Sequence, residues 1–180
     1  ATNTTGGDNL AIGYQAMTNA NHADVDRNVI VGNYGGDAIG TATVADSVFV
    51  GYAAGSGVND NASGGQTLIG SQSGLQLTSA IANTAVGYKT LYAATTSDYN
   101  TAVGYSALGA INGDGTGANT AMGWDAASRI TSGVYNTVMG TGALNAADAG
   151  ESYNVAIGGE AMGSIDEGAS GVADSNVCIG

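Results

Sequence analysis

Short apolar steps alternate along this chain with polar, glycine-rich stretches, and the steps recur as copies of one another. The clearest copies are Asn83-Thr84-Ala85-Val86-Gly87-Tyr88, Asn100-Thr101-Ala102-Val103-Gly104-Tyr105 and Asn119-Thr120-Ala121-Met122-Gly123-Trp124. Taking the glycine as the register mark, position 0, brings weaker copies into line. The marks are then Gly13, Gly32, Gly51, Gly70, Gly87, Gly104, Gly123, Gly140, Gly158 and Gly180, separated by 17 to 22 residues.

Position −4 is polar in every copy: Asn9, Asn28, Asn83, Asn100, Asn119, Asn136, Asn154 and Asn176, with Ser47 and Gln66 in the other two. Position −3 is Thr or aliphatic: Leu10, Val29, Val48, Thr67, Thr84, Thr101, Thr120, Thr137, Val155 and Val177. Position −2 carries Ala11, Ile30, Phe49, Leu68, Ala85, Ala102, Ala121, Val138, Ala156 and Cys178. Position −1 carries Ile12, Val31, Val50, Ile69, Val86, Val103, Met122, Met139, Ile157 and Ile179. Positions −3 to −1 therefore read as a short strand.

A second apolar residue often stands at +4, as Met17, Leu91, Leu108, Leu144 and Met162, and reads as a second strand. Between units lie Gly-, Asn-, Asp-, Ser- and Thr-rich stretches such as Asn112 to Gly117, with the composition of return loops. A period of 17 to 22 residues is shorter than the roughly 33 to 47 of paired-helix repeats, and no 3.6-residue pattern runs through it. The expected fold is all-β: a parallel β-solenoid or β-roll of about ten coils, a single repeat domain over residues 1–180, read as a segment of a longer chain. At the strand spacing of about 4.8 Å, nine steps give a rod on the order of 43 Å long.

Alternation in a strand puts −3 and −1 on one face and −2 on the other, and both faces are apolar. One roll has one interior, so burying both predicts oligomerisation, the alternative being a thin monomer. The Thr and aliphatic face is expected inside, and the small alanines at −2 suit close approach of neighbouring chains. The glycine reads as a site of positive φ or of no room for Cβ. Stacked Asn residues predict a ladder of side-chain amides, with a plain turn-forming Asn as the alternative.

Composition narrows the function classes. The chain has 31 Gly, no Pro and only 10% charged residues, consistent with tight, repeated turns. Its formal net charge of −12 opposes binding to nucleic acid or anionic membranes, and no apolar run is long enough to cross a membrane as a helix. The sequence opens on Ala1 without a charged or apolar leader, so any targeting segment is read as absent or removed.

The repeat resembles the β-roll repeats of trimeric autotransporter adhesin heads, whose strand motif runs Ser-Val-Ala-Ile-Gly, most closely at Asn154-Val155-Ala156-Ile157-Gly158. It is also similar to the Asn-Thr-Ala-Val-Gly-Tyr repeats of bacteriophage tail fibres, most closely from Asn100 to Leu108. The resemblance covers nearly the whole chain, although its spacing is longer than the compact adhesin repeat. It implies a homotrimer of parallel rolls, extracellular, on a cell surface or on a virion, that extends or presents a receptor-binding surface for a host glycan or protein.

Candidate chemistry is sparse. The one histidine, His22, sits in an Asn- and Asp-rich stretch and reads as a surface loop residue; Cys178 takes the apolar −2 position and reads as a small buried hydrophobe. Asp24, Asp26, Asp60, Asp114, Asp166 and Asp174 lie in or near turns, but no twelve-residue calcium loop or calcium-binding nonapeptide repeat accompanies them, so calcium is a minor expectation and no other cofactor is expected. Tyr14, Tyr52, Tyr88, Tyr105 and Trp124 all follow a register glycine, forming either a packed corner or a carbohydrate-binding stripe. No catalytic, cofactor or metal residues are assigned, and no enzymatic activity is expected. The expected function is a structural or adhesive fibre segment. The alternatives are a head-to-tail filament subunit and an ice-binding solenoid using the threonines at 67, 84, 101, 120 and 137.

Overall fold

The computed structural model describes residues 6–40, 43–59, 63–113, 115–146, 150–164 and 174–180. These form twelve short strands and no helix. Ten of them make one parallel sheet: β1 (Leu10–Ile12), β2 (Val29–Val31), β3 (Val48–Val50), β4 (Thr67–Ile69), β5 (Thr84–Val86), β7 (Thr101–Val103), β9 (Thr120–Met122), β10 (Thr137–Met139), β11 (Val155–Ile157) and β12 (Val177–Ile179). The other two, β6 (Ser97–Asp98) and β8 (Gly115–Thr116), pair in a small parallel sheet of their own.

The large sheet is stacked in chain order and in register, so Thr84 pairs with Thr101 and Val103 with Met122. This is a parallel β-solenoid, with each strand on the rung that the repeat alignment assigns it. The ladder runs in both directions: the Leu10 N–H donates up to the Asn28 carbonyl at 2.8 Å, and the Gly32 N–H donates down to the Ile12 carbonyl at 2.8 Å.

The side-chain orientation reverses the sequence expectation. Residues at −2 point inward: Ile30, Phe49, Leu68, Ala85, Ala102, Ala121, Val138 and Ala156 are buried, while positions −3 and −1 face outward. The cause is the Asn at −4. Its amide is buried between coils, and in a pleat of period two an inward −4 forces an inward −2 and an outward −3 and −1. The alanines therefore line the inside of the coil rather than a contact between chains.

The second apolar step is not a strand. Positions +2 and +4 belong to a run of turns and hold positive φ in nine successive coils, as at Lys89 (φ 54°) and Leu91 (φ 49°), or Ser106 (φ 54°) and Leu108 (φ 51°). A left-handed Leu or Met costs about 1–2 kcal/mol. Full burial of Met17, Leu91, Leu108 and Leu144 holds them there.

Positions −2 and +4 fill the same interior space and compensate for one another in seven of nine coils, the exceptions being Ala121 with Ala127 and Val138 with Leu144. Coils with Ile30, Phe49 or Leu68 on the strand have Gly36, Gly55 or Gly74 at +4, and coils with Ala11, Ala85, Ala102 or Ala156 have Met17, Leu91, Leu108 or Met162. A Cβ on Gly55 would lie 2.8 Å from the Phe49 ring. Phe49→Ala is thus expected to cost about 3–5 kcal/mol. Adding Gly55→Leu should recover about 2 kcal/mol of that loss, although Gly55→Leu alone is destabilising. Urea unfolding of the two single variants and the pair checks this; additive losses would mean the two positions do not share a cavity.

Candidate functional site

Two polar features hold the coils in register. In the first, each −4 side-chain oxygen accepts the backbone N–H of the −4 residue in the next coil. The Asn28 N–H meets Asn9 Oδ1 at 2.9 Å, and the Asn100 N–H meets Asn83 Oδ1 at 2.7 Å. The Asn136 N–H meets Asn119 Oδ1 at 3.0 Å. Ser47 and Gln66 continue the chain of bonds: the Gln66 N–H meets Ser47 Oγ at 3.1 Å and the Asn83 N–H meets Gln66 Oε1 at 3.1 Å. The expected ladder therefore exists, with main-chain N–H groups as its principal donors. In the second, register glycines stack backbone to backbone, with φ between 128° and 146° across the column.

What the coils present outward is a single strip. Every exposed large hydrophobic side chain among the described residues stands at position −5, −3, −1 or +1. Positions −3 and −1 supply Leu10, Ile12, Val29, Ile69, Met122, Met139, Val177 and Ile179. Position +1 supplies Tyr14, Tyr52, Tyr88, Tyr105 and Trp124, as the sequence suggests. Position −5 adds Tyr99, Tyr135 and Tyr153, aromatics absent from the sequence expectation; their signal is that all three stand immediately before a ladder Asn. Position −5 is left-handed in all ten copies, for example Tyr135 (φ 58°) and Tyr153 (φ 60°).

Ring geometry bears on the carbohydrate reading. Tyr88 stacks on Tyr105 with centroids 5.2 Å apart, and Tyr135 on Tyr153 at 5.2 Å. Tyr34 meets Tyr14 and Tyr52 edge-on at 5.6 and 5.7 Å. Rings stacked at this spacing cover one another's faces, which removes much of the surface a sugar ring would use. Lys89 Nζ lies 5.4 Å from the Tyr88 centroid and 5.0 Å from that of Tyr92, one cation held between two rings.

Charge is nearly absent from the strip. Its charged members are Asp8, Arg27 and Asp46, all at position −5 near one end of the rod. Arg27 Nε donates to Asp46 Oδ1 at 2.6 Å and Nη2 to Oδ2 at 2.9 Å, which holds the Asp46 carboxyl below its ordinary range. Such a lowered carboxyl favours the folded state above the unfolded pKa, and the gain is lost as pH falls through the lowered value. Both groups are exposed, so the contribution is small.

The remaining candidates do not converge. His22 sits on a turn, its Nδ1 accepting the Asp24 N–H at 3.2 Å. Cys178 is half-buried against the end of the core. Asp26 accepts the Gly7 N–H at 2.5 Å and Asp174 the Ser152 N–H at 2.7 Å; Asp60, Asp114 and Asp166 lie outside the described residues. Among the described residues no three His, Cys, Asp or Glu side chains come together. A cavity of about 140 Å³ beside the small sheet is lined by Ser97, Ile111, Thr116, Ser132 and Val134 with three glycines, none of them titratable. Comparison with protein-family models, with curated proteins and with solved structures finds no match for this chain.

Proposed function

We propose that this chain is a structural segment of an extended fibre, extracellular or on a virion, whose rods associate side by side through the outward strip as a parallel homotrimer. The observation that carries this reading is the confinement of the exposed large hydrophobics, among the described residues, to four adjacent columns. The strip is about 43 Å long and, from position −5 to +1, about 20 Å wide, a footprint of roughly 800 Å². A standard interface covers about that area per partner.

A second copy of the chain is the favoured occupant because of charge. Two chains of net charge −12 repel, and the contact is tolerable where the facing surfaces carry almost none of that charge. The loops are left free to carry any recognition of a host glycan or protein. Sedimentation velocity over a range of protein concentrations is expected to give a single species of three chains. Ile69→Lys with Val103→Lys should give folded monomers with an unchanged far-ultraviolet spectrum. A wild-type protein that stays monomeric at every concentration overturns the reading, and growth without limit replaces the closed trimer by a filament.

One observation favours a second reading, ice binding: the ladder of Thr67, Thr84, Thr101, Thr120 and Thr137 lies on the outward face rather than inside. Its companion column of Ile, Val and Met and its tyrosine borders suit a protein partner better. Thermal hysteresis in a monomeric preparation would reverse this ranking.

A further inference from the structure

The strip is uniform in register but not in chemistry. Around β9 and β10 it carries its largest and softest side chains: Trp124 is 53% exposed, and Met122 and Met139, neighbours on adjacent rungs, are each 44% exposed. Trp124 is the only tryptophan in the chain. Most of the other exposed tyrosines spend part of their surface on a neighbouring ring, as Tyr88 does on Tyr105 and Tyr135 on Tyr153. Trp124 makes no ring contact among the described residues, and the next coil carries Thr141 in its column, so its indole is open to a partner.

We infer that Trp124, two residues along the rung from Met122 and beside the Met122–Met139 column, is the anchor of the contact between copies of this chain, and that the rest of the strip contributes complementarity rather than most of the affinity. This rests on the self-association reading above and says where within the strip the binding energy sits. The chemistry supports it. Tryptophan is the residue most often found where truncation is costly in an interface, because one rigid side chain brings a large area at low entropic cost. Methionine supplies an adaptable, polarizable bed that conforms to an inserted ring. The nearest strip neighbours are Thr120, Thr137 and Tyr105, none of them charged; the one adjacent acid, Asp125, is half-buried and stands outside the strip columns, at +2. The charged members of the strip lie at the opposite end.

The single tryptophan makes the inference directly testable. Dilution of the full chain through its association range should shift Trp emission to longer wavelength and raise acrylamide quenching several-fold as copies separate. Trp124→Ala should weaken self-association about 30-fold or more, equivalent to about 2 kcal/mol. Tyr14→Ala, in the same column at the far end, should weaken it less than about 5-fold, and Tyr92→Ala, outside the strip, should leave it unchanged. Circular dichroism of each variant confirms the fold, and Trp124→Phe, which keeps an aromatic, should fall between wild type and alanine. Undiminished association of Trp124→Ala, or oligomers whose Trp emission is that of a solvated indole, overturns the anchor while leaving self-association intact. A wild type that never associates overturns the reading on which the anchor depends.

Discussion

Gly123→Val is expected to abolish folding of the rod around β9 and β10. The residue sits at φ 141°, a conformation that side chains rarely adopt, and a Cβ there would lie 2.5 Å from the Gly140 carbonyl oxygen and 2.7 Å from its carbon. Neither atom can move without breaking the ladder, because the Gly140 N–H donates to the Met122 carbonyl at 2.8 Å. Backbone strain and a forced separation of two rungs together exceed about 4–5 kcal/mol, a large part of the stability of an ordinary domain. Gly159→Ala is the matched control. A Cβ at Gly159 meets nothing within 4 Å, so this change should stay within about 0.5 kcal/mol. Thermal unfolding followed by circular dichroism separates the two; equal melting temperatures would show that the glycines do not stack backbone on backbone.

Asn119→Leu should be nearly as damaging, for a polar reason. Asn119 is buried, and its Oδ1 accepts both the Asn136 N–H at 3.0 Å and Asn136 Nδ2 at 2.9 Å. Its Nδ2 donates to the Gly133 carbonyl at 2.8 Å and to Asn100 Oδ1 at 3.2 Å. Leucine orphans several buried polar groups at about 1–3 kcal/mol each. Asn119→Ser should cost much less, since a hydroxyl at this position already serves as the rung acceptor at Ser47. The difference in urea midpoint between the leucine and serine variants measures the ladder. If the two are equal, burial rather than hydrogen bonding is what position −4 supplies.

Much of the fold is legible in the sequence, and the two departures have separate causes. The strands at −3 to −1 stand where the repeat places them, and the glycine column needs both positive φ and the absence of Cβ. Positions −3 and −1 are the more hydrophobic, and hydrophobicity alone puts them inside. The amide at −4 decides otherwise: it is buried with its hydrogen bonds satisfied between coils, and an inward −4 sets −2 inward and −3 and −1 outward. The turns at +2 and +4 carry no local signal against a second strand, because Leu and Met at positive φ run against local preference. The pattern still held a clue: Gly36, Gly55 and Gly74 stand where other coils have Leu or Met, as expected of a left-handed site that glycine also satisfies. The outward strip became visible only once the facing was known, and with it the tyrosines at 99, 135 and 153.

The stacking of every rung on its immediate neighbours also makes the length of the molecule a countable quantity. Residues 84–100 are one such unit. Removing them joins Asn83 to Thr101 and restores the same ladder, glycine column and strand, one step of about 4.8 Å shorter. Because each coil is bound only to those before and after it, stability varies as a sum of nearest-neighbour terms and reach varies as the number of coils. A lineage that duplicates or deletes one unit can therefore change the span of the rod while keeping the strand, Asn and glycine columns, with only contacts peculiar to one coil, such as the β6–β8 pairing, to be replaced.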